Sequence, residues 1–256
     1  MIGGVLLDIS GVLYQGDVAI PGAVEAVRRL RNAGLPIRFL TNSTRRPKRD
    51  ILTKLQSLGF DVDGNEVLTP AAAACAWLEA NGYVPHLLVH PDLEEDFAAC
   101  RTVGPVAVVV GDAGLYFTYE RLNEAFREIE SGAPFLALAT NRVFRDADGM
   151  LSLDAGAFVR ALEYSSGKDA LVLGKPSVAF FRSGAEGMGS DPADIAMVGD
   201  DAESDVAGAI SAGIGMGILV RTGKYRDGDE TRFNPEPTHV ARDIVEAVDA
   251  IVANTG

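Results

Sequence analysis

Four short polar segments of this chain carry residue types that suit phosphoryl transfer. They are Asp8-Ile9-Ser10-Gly11-Val12, Thr41-Asn42-Ser43, Gly174-Lys175-Pro176, and Gly199-Asp200-Asp201 with Asp205. An aspartate can attack phosphorus and form an acyl phosphate, which divides one difficult displacement into two easier steps. Nearby carboxylates can hold Mg²⁺ through their oxygens, and a cation there neutralises charge on the nucleophile and the phosphate.

Each segment has an ordinary structural explanation when it is taken alone. An aspartate after a strand, such as Asp8, is commonly a turn residue or a helix cap, and Thr41 is often a cap as well. The pair Asp200-Asp201 favours a metal more directly, because neighbouring carboxylates repel each other unless a cation or donors compensate them. Along the chain the four segments supply, in order, a nucleophile, a hydroxyl with an amide, a lysine and an acidic pair. This order is hard to explain as four independent turns.

The apolar pattern around these segments predicts the elements that must position them. Short β-rich runs alternate with longer stretches of helical periodicity, which is typical of βαβ units and a mostly parallel sheet. Strands are predicted at 5–9, 37–40, 67–69, 87–89, 106–110, 135–139, 171–173, 195–198 and 216–220, and helices at 22–32, 45–58, 71–80, 119–131 and 155–164. The predicted fold class is α/β with a doubly wound parallel sheet, whose ligands bind beyond the carboxyl ends of the strands.

A new βα pattern begins at Pro70 and predicts a second, smaller α/β domain. We expect residues 1–70 and 171–256 to form the core domain, with the strands at 171–173, 195–198 and 216–220 completing its sheet. Residues 71–170 are then an inserted domain.

Composition limits the kinds of partner. With a formal net charge of −13, the chain would be repelled by nucleic acid and by anionic membrane surfaces. No apolar run approaches the roughly 20 residues of a membrane span, and the first residues resemble a strand more than a signal peptide. The only cysteines, Cys75 and Cys100, lack metal-ligand spacing and are interpreted as packing thiols. We expect a cytoplasmic protein, because so few cysteines suit a reducing compartment.

The four segments together resemble the four sequence motifs of the haloacid dehalogenase-like superfamily, and the match extends along the whole chain. The insert at 71–170 resembles the large α/β cap of the NagD-like branch, which contains phosphatases. The opening Leu-Leu-Asp-Ile-Ser-Gly-Val-Leu-Tyr narrows the resemblance to a phosphatase that acts on phosphoramidates and pyrophosphate. The resemblance implies a Rossmann-like core, Mg²⁺ as cofactor, and a cap that closes over the core to exclude water and select a small phosphorylated substrate.

The resemblance also implies a set of metal ligands. Asp8 is similar to the nucleophile that also binds Mg²⁺, the position of Ser10 provides a backbone carbonyl, and Asp200 completes the protein ligands. Asp201 and Asp205 resemble residues that orient these ligands and the lysine.

A second set of residues is implied to hold the phosphoryl group. Thr41 and Asn42 would bind the phosphoryl oxygens, and the phosphoryl group would lie against the backbone at Ile9. Lys175 would neutralise both the phosphate and Asp8. Together, Asp8, Lys175 and Asp200 form the predicted catalytic set.

Ser10 is where the sequence departs from the superfamily pattern. Most of these phosphatases have an aspartate two residues after the nucleophile, where it protonates the leaving group and activates water. Serine cannot do this near neutral pH, and such assistance typically contributes about 10² to 10⁴ in rate. We therefore expect a slow enzyme, or one that is restricted to good leaving groups such as phosphoramidates.

Two alternative functions follow from the same residues. A haloacid dehalogenase also uses the first aspartate without the second, but it attacks carbon and needs no Mg²⁺, so Asp200-Asp201 argues against it. A non-catalytic protein that binds Mg²⁺ and a phosphorylated ligand is the other alternative, against which Asp8 and Lys175 count.

Substrate specificity is expected to depend on the cap. Asp112, Asn141 and Arg142 follow predicted cap strands and are candidates for substrate contacts. The resemblance also offers a homodimer formed through the cap as one option for the assembly.

Overall fold

The computed structural model describes residues 1–145 and 150–255, and their contacts divide the chain into two compact units. The first unit contains the described residues of Met1–Thr41, Leu52–Leu68 and Lys175–Gly256. The second contains those of Asn42–Ile51 and Thr69–Gly174.

The described residues form fourteen strands and eight α-helices, numbered here in chain order. The strands are β1 (Gly4–Asp8), β2 (Tyr14–Gln15), β3 (Val18–Ala19), β4 (Ile37–Leu40), β5 (Val67–Leu68), β6 (Val84–Leu88), β7 (Val106–Val110), β8 (Phe135–Ala137), β9 (Val143–Arg145), β10 (Leu151–Leu153), β11 (Leu171–Val172), β12 (Ile195–Gly199), β13 (Met216–Val220) and β14 (His239–Ala241). The helices are α1 (Ala23–Asn32), α2 (Lys48–Ser57), α3 (Pro70–Asn81), α4 (Tyr119–Glu130), α5 (Ala155–Ser166), α6 (Val178–Glu186), α7 (Gly208–Ser211) and α8 (Ile244–Ala253).

The first unit is built on a six-stranded parallel sheet with the order β14-β13-β12-β1-β4-β5. Its central strands are apolar and almost completely buried. Such continuous apolar runs are typical of parallel strands whose two faces are both covered by helices. Because the strands are parallel, their carboxyl ends lie along one edge of the sheet, where polar side chains from separate parts of the sequence can meet.

The second unit has its own parallel sheet, with the order β11-β8-β7-β6. Alternate residues of β7 enter two different apolar clusters: Val109 packs on the side of α3, and Val108 packs on the side of α4 and α5. Helix α3 begins where Thr69 accepts a hydrogen bond from the Ala72 N–H at 3.1 Å and Pro70 occupies the first turn.

These two sheets confirm the predicted α/β fold class. One predicted strand is in a different sheet, however. Residues 171–173 were expected to complete the core sheet, but β11 pairs in parallel with β8 in the second unit. The run is too short for its apolar pattern to indicate which sheet it joins. The antiparallel pairs β9–β10 and β2–β3 were not predicted from the sequence.

Among the described residues, no helix combines the length and the apolar character that crossing a membrane requires.

Candidate active site

Asp8 is the last residue of β1, between neighbours β12 and β4 in the core sheet. The apolar strand that precedes it is buried, and so is the Asp8 side chain itself. Ile9 is buried next in the chain, whereas Ser10 is exposed. Gly11 follows at φ 89°, a left-handed conformation that glycine adopts without steric cost, and it turns the chain at the end of the strand.

The ammonium group of Lys175 contacts two carboxylates. It donates a hydrogen bond to Oδ1 of Asp8, and its Nζ lies 2.7 Å from Oδ1 of Asp205. Burial disfavours the charged lysine, but the charges of Asp205 and Asp8 outweigh it and raise the pKa of Lys175. The lysine is therefore charged at neutral pH and compensates part of the charge on Asp8. Lys175 belongs to the first unit, but the strand that precedes it, β11, pairs with β8 in the second unit's sheet and not with a core strand as predicted.

Asp200 directly follows β12, and the loop after β13 donates a hydrogen bond to its carboxylate. The backbone N–H of Lys224 donates to its Oδ2 at 2.7 Å. Gly11 and Gly223 lie against the same oxygen, so closely that a Cβ at either position would overlap with it. The Thr222 hydroxyl donates to the backbone carbonyl of Gly11 and joins the two glycine turns.

The contribution of this loop was not predicted as part of the site. The loop follows β13 directly and has the sequence Arg221-Thr222-Gly223-Lys224-Tyr225. Its contact with Asp200 spans more than 20 residues of sequence. No periodic pattern connects positions so far apart.

Asp8, Asp200 and Asp205 form a cluster of buried carboxylates. Each offers one oxygen, and these oxygens lie within 4.8 Å of one another. Burial raises the pKa of Asp8 to about 6, although Lys175 opposes the change. Burial, together with the charges of Asp8 and Asp205, raises the pKa of Asp200 to about 8. Lys175 contacts only two of these three carboxylates. A hard divalent cation such as Mg²⁺ fits a cluster of oxygens whose negative charge is only partly compensated.

Asp205 is in contact with the lysine and the backbone. Its Oδ1 pairs with Lys175, and its Oδ2 accepts the backbone N–H of Asp201 at 3.2 Å. Gly199 makes this position available, because a Cβ there would overlap with the Asp205 side chain.

Asp201 supports the turn that follows β12. Its Oδ1 accepts the N–H groups of Glu203 and Ser204 at 3.2 and 3.0 Å, and its Oδ2 lies 3.2 Å from Nζ of Lys224. Burial opposes ionisation, but the charge of Lys224 and the hydrogen bond from the Ser204 N–H hold the pKa of Asp201 below its usual value.

Thr41 and Asn42 follow β4 but belong to different units. Thr41 is buried in the first unit, where its N–H donates to the Leu68 carbonyl at 3.3 Å. Asn42 belongs to the second unit, and its Oδ1 lies so close to Gly174 that a Cβ there would overlap with it. Their binding of phosphoryl oxygens stays a prediction.

Asp112 forms an ion pair within the second unit. Its Oδ2 lies 3.2 Å from Nε of Arg45, and its N–H donates to Oγ1 of Thr44 at 2.9 Å. The Arg45 guanidinium also lies 5.5 Å from the centre of the Phe144 ring. The sequence predicted Arg45 only as a helical residue, but α2 begins at Lys48, and the Asp112 contact is long-range.

Asn141 and Arg142 precede β9 and contribute backbone groups to the start of α5. Their carbonyls accept the N–H groups of Gly156 at 3.0 Å and Asp154 at 3.2 Å. The Arg142 side chain is exposed. A contact of either residue with substrate stays a prediction.

Both ends of the chain match known protein families. Residues 5–101 match a family described as haloacid dehalogenase-like hydrolase, and residues 172–247 match one described as HAD-hydrolase-like. The human haloacid dehalogenase-like hydrolase domain-containing protein 2 is 44% identical over 97% of this chain and 95% of its own length. The phospholysine phosphohistidine inorganic pyrophosphate phosphatase of Danio rerio is 44% identical over 98% of this chain and 94% of its own length.

Solved structures share the whole fold. A p-nitrophenyl phosphatase from Archaeoglobus fulgidus superposes with a TM-score of 0.88 at 27% identity, covering 97% of this chain and 99% of its own. NagD from Escherichia coli K-12 superposes with a TM-score of 0.81 at 26% identity, covering 96% of this chain and 98% of its own. A glycerol phosphate phosphatase from Mycobacterium tuberculosis, solved in complex with magnesium, superposes with a TM-score of 0.82 at 27% identity. The match covers 95% of this chain and 75% of that chain. This chain therefore belongs to the haloacid dehalogenase-like hydrolases, in their NagD-like branch of phosphatases.

Proposed function

We propose that this phosphatase passes the phosphoryl group of a small phosphorylated compound to Asp8 and then to water, with Mg²⁺ as its cofactor. The observation that carries the proposal is the buried contact between Lys175 and Asp8, beside β12, the strand that Asp200 directly follows. A carboxylate, a charged lysine and a second carboxylate at one sheet edge are the groups that this chemistry requires.

The covalent step begins with the Asp8 carboxylate, whose charge Lys175 compensates. One of its oxygens attacks phosphorus as the bond to the leaving group breaks, and an aspartyl phosphate results. Water then attacks the phosphorus of this acyl phosphate, which releases inorganic phosphate and restores Asp8. Thr41 and Asn42 are proposed to hold the phosphoryl oxygens during both steps.

Asp8, Asp200 and the backbone carbonyl of Ser10 would hold Mg²⁺. When bound, the ion neutralises the negative charge that the nucleophile and the phosphoryl group bring together. Asp205 is assigned a positioning role instead, because its two oxygens already contact Lys175 and the Asp201 N–H. Asp201 is assigned a similar role because it pairs with Lys224 and supports the turn beside Asp200.

The leaving group is expected to depart without a carboxylic acid to protonate it. Ser10 occupies the position where most phosphatases of this superfamily have an aspartate, and Ser10 is exposed. A phosphoramidate suits such a site, because its nitrogen can be protonated from solution before it leaves. The name of the Danio rerio relative, a phospholysine phosphohistidine inorganic pyrophosphate phosphatase, supports the same substrate class.

The proposal also includes the domain organisation, the location and the assembly of the protein. The predicted division into a core domain and a cap that selects the substrate is proposed for this chain, with residues 171–173 assigned to the cap because β11 pairs with β8. A cytoplasmic location and a homodimer stay predictions.

A screen of phosphoramidates, aryl and alkyl phosphoesters and pyrophosphate, with Mg²⁺ and with excess chelator, tests the function. We expect Mg²⁺-dependent release of phosphate, fastest from the substrates with the best leaving groups. Full phosphate release in chelator would contradict Mg²⁺ as the cofactor. Tight binding of phosphorylated compounds without any turnover would favour the non-catalytic one.

A further inference from the structure

The thiol groups of Cys75 and Cys100 lie in contact within the second unit. Their sulfur atoms are 3.1 Å apart, and the Cys100 thiol is the donor. Cys75 lies in α3, and Cys100 follows the short 3-10 helix Pro91–Phe97, which packs against α3. Both residues pack against one apolar cluster, so the elements that carry them are held together independently of the thiols.

The distance between the two sulfur atoms is about 1 Å longer than a disulfide bond. A sulfur–sulfur bond is about 2.05 Å long, so closing the gap requires a movement of about 1 Å. Both side chains are only partly buried, which leaves a route for a small oxidant. The sequence contains no other cysteine that could compete for either thiol. A purely packing role, as the sequence alone suggested, does not require the two sulfur atoms to be in contact.

We propose that Cys75 and Cys100 are a redox-active dithiol, which a peroxide converts to an intramolecular disulfide and a small-molecule thiol reduces again. In the first step the Cys100 thiolate attacks a peroxide oxygen, the O–O bond breaks, and a sulfenic acid and water form. In the second step the Cys75 sulfur attacks the sulfenic sulfur, and the S–O bond breaks to release a second water. Two thiols lose two electrons, and one hydrogen peroxide becomes two waters.

The order of attack follows from the surroundings of Cys75. Burial and the neighbouring Cys100 sulfur raise the pKa of the Cys75 thiol, which disfavours it as the first nucleophile. Its Sγ also lies 3.4 Å from the backbone carbonyl of Asp96, to which the thiol donates. Cys75 is therefore assigned as the resolving cysteine.

Thiol counting on the full chain tests this site. The protein is exposed to a small excess of hydrogen peroxide, alkylated with N-ethylmaleimide and analysed by intact mass and by non-reducing peptide mapping. We expect both thiols to be protected, the mass to fall by two hydrogen atoms, the two cysteine peptides to be linked, and the chain to stay monomeric on a non-reducing gel. Dithiothreitol should restore both thiols.

Two single variants serve as matched controls. Cys75→Ser should accumulate a Cys100 sulfenic acid that dimedone traps, whereas Cys100→Ser should react more slowly. Loss of wild-type thiols no faster than in Cys100→Ser, disulfides only between chains, or separate sulfinic acids without a linked peptide would each overturn the proposal. The wild-type measurement decides the matter even if a variant does not fold.

Discussion

The ammonium nitrogen of Lys175 lies 2.7 Å from the carboxylate of Asp205, and both side chains are buried. The same nitrogen donates to Asp8. The lysine is thus held between the proposed nucleophile and a residue that anchors it to the turn after β12. Removing it would leave a cluster of buried carboxylates without its compensating charge.

Lys175→Met should therefore abolish turnover and destabilise the protein by about 3–5 kcal/mol at neutral pH, the usual cost of leaving a buried charge unpaired. Chemical denaturation without added metal measures the free energy of unfolding. Lys224→Met is the matched control, because Lys224 pairs with Asp201 at 3.2 Å but its side chain is 62% exposed. It should cost no more than about 1 kcal/mol. Equal losses of unfolding free energy in the two variants would contradict the claim that Lys175 compensates buried carboxylates.

The stability of the metal-free protein should fall as pH rises. Burial raises the pKa of Asp8 from 3.8 to about 6 and that of Asp200 from 3.8 to about 8. Between about pH 4 and pH 8 the folded state binds more protons than the unfolded state, so the free energy of unfolding decreases as pH rises. The stabilisation is complete below about pH 4 and is lost as pH rises to about 8.

Mg²⁺ should oppose this loss, because it binds the ionised carboxylates of the folded state. Melting temperatures measured across this pH range, in chelator and in Mg²⁺, check the expectation. The gain from Mg²⁺ should grow with pH, and Asp200→Asn should reduce both the pH slope and the gain. A gain that does not depend on pH would contradict the assignment of these carboxylates.

Gly223→Ala should weaken the metal site through Asp200. The new Cβ would overlap with the Asp200 carboxylate, and at φ 61° it would also strain the backbone by about 1–2 kcal/mol. We expect the Mg²⁺ concentration for half-maximal activity to rise at least about tenfold, which equals about 1.4 kcal/mol. Gly228→Ala separates the two effects, because Gly228 has φ 91° and open space around the added Cβ. The same rise in both variants would show that strain alone is responsible.

The positions of Asp8 and Asp200 could be predicted because Asp8 ends one clear apolar strand and Asp200 directly follows another. Parallel strands place their carboxyl ends along one edge of the sheet. Lys175 was assigned its role through a resemblance, while the strand before it was placed in the wrong sheet. A three-residue apolar run has too little pattern to identify which strands will be its neighbours. The carboxylate contacts of Gly223 and Lys224 depend on how a loop returns to the sheet, which no local periodicity encodes.

Ser10→Asp should make the rate less dependent on the leaving group. In the wild type, with no carboxylic acid at this position, we expect phosphoramidates and aryl phosphates to react much faster than alkyl phosphates. An added acid should raise alkyl ester turnover by about 10² or more and change aryl phosphate turnover little. Rates for a series of phosphates with increasing leaving-group pKa measure this slope. A wild-type rate insensitive to that pKa, with chemistry rate-limiting, would mean that another residue donates the proton.

Phosphate release by Asp8→Asn, compared with wild type at saturating substrate and Mg²⁺, tests covalent catalysis by Asp8. A neutral amide is a poor nucleophile and a weak ligand of Mg²⁺, while its shape should preserve the fold, which circular dichroism verifies. The account predicts that the turnover rate falls at least about 10³-fold. A folded Asp8→Asn protein that keeps a rate within about tenfold of wild type would contradict it.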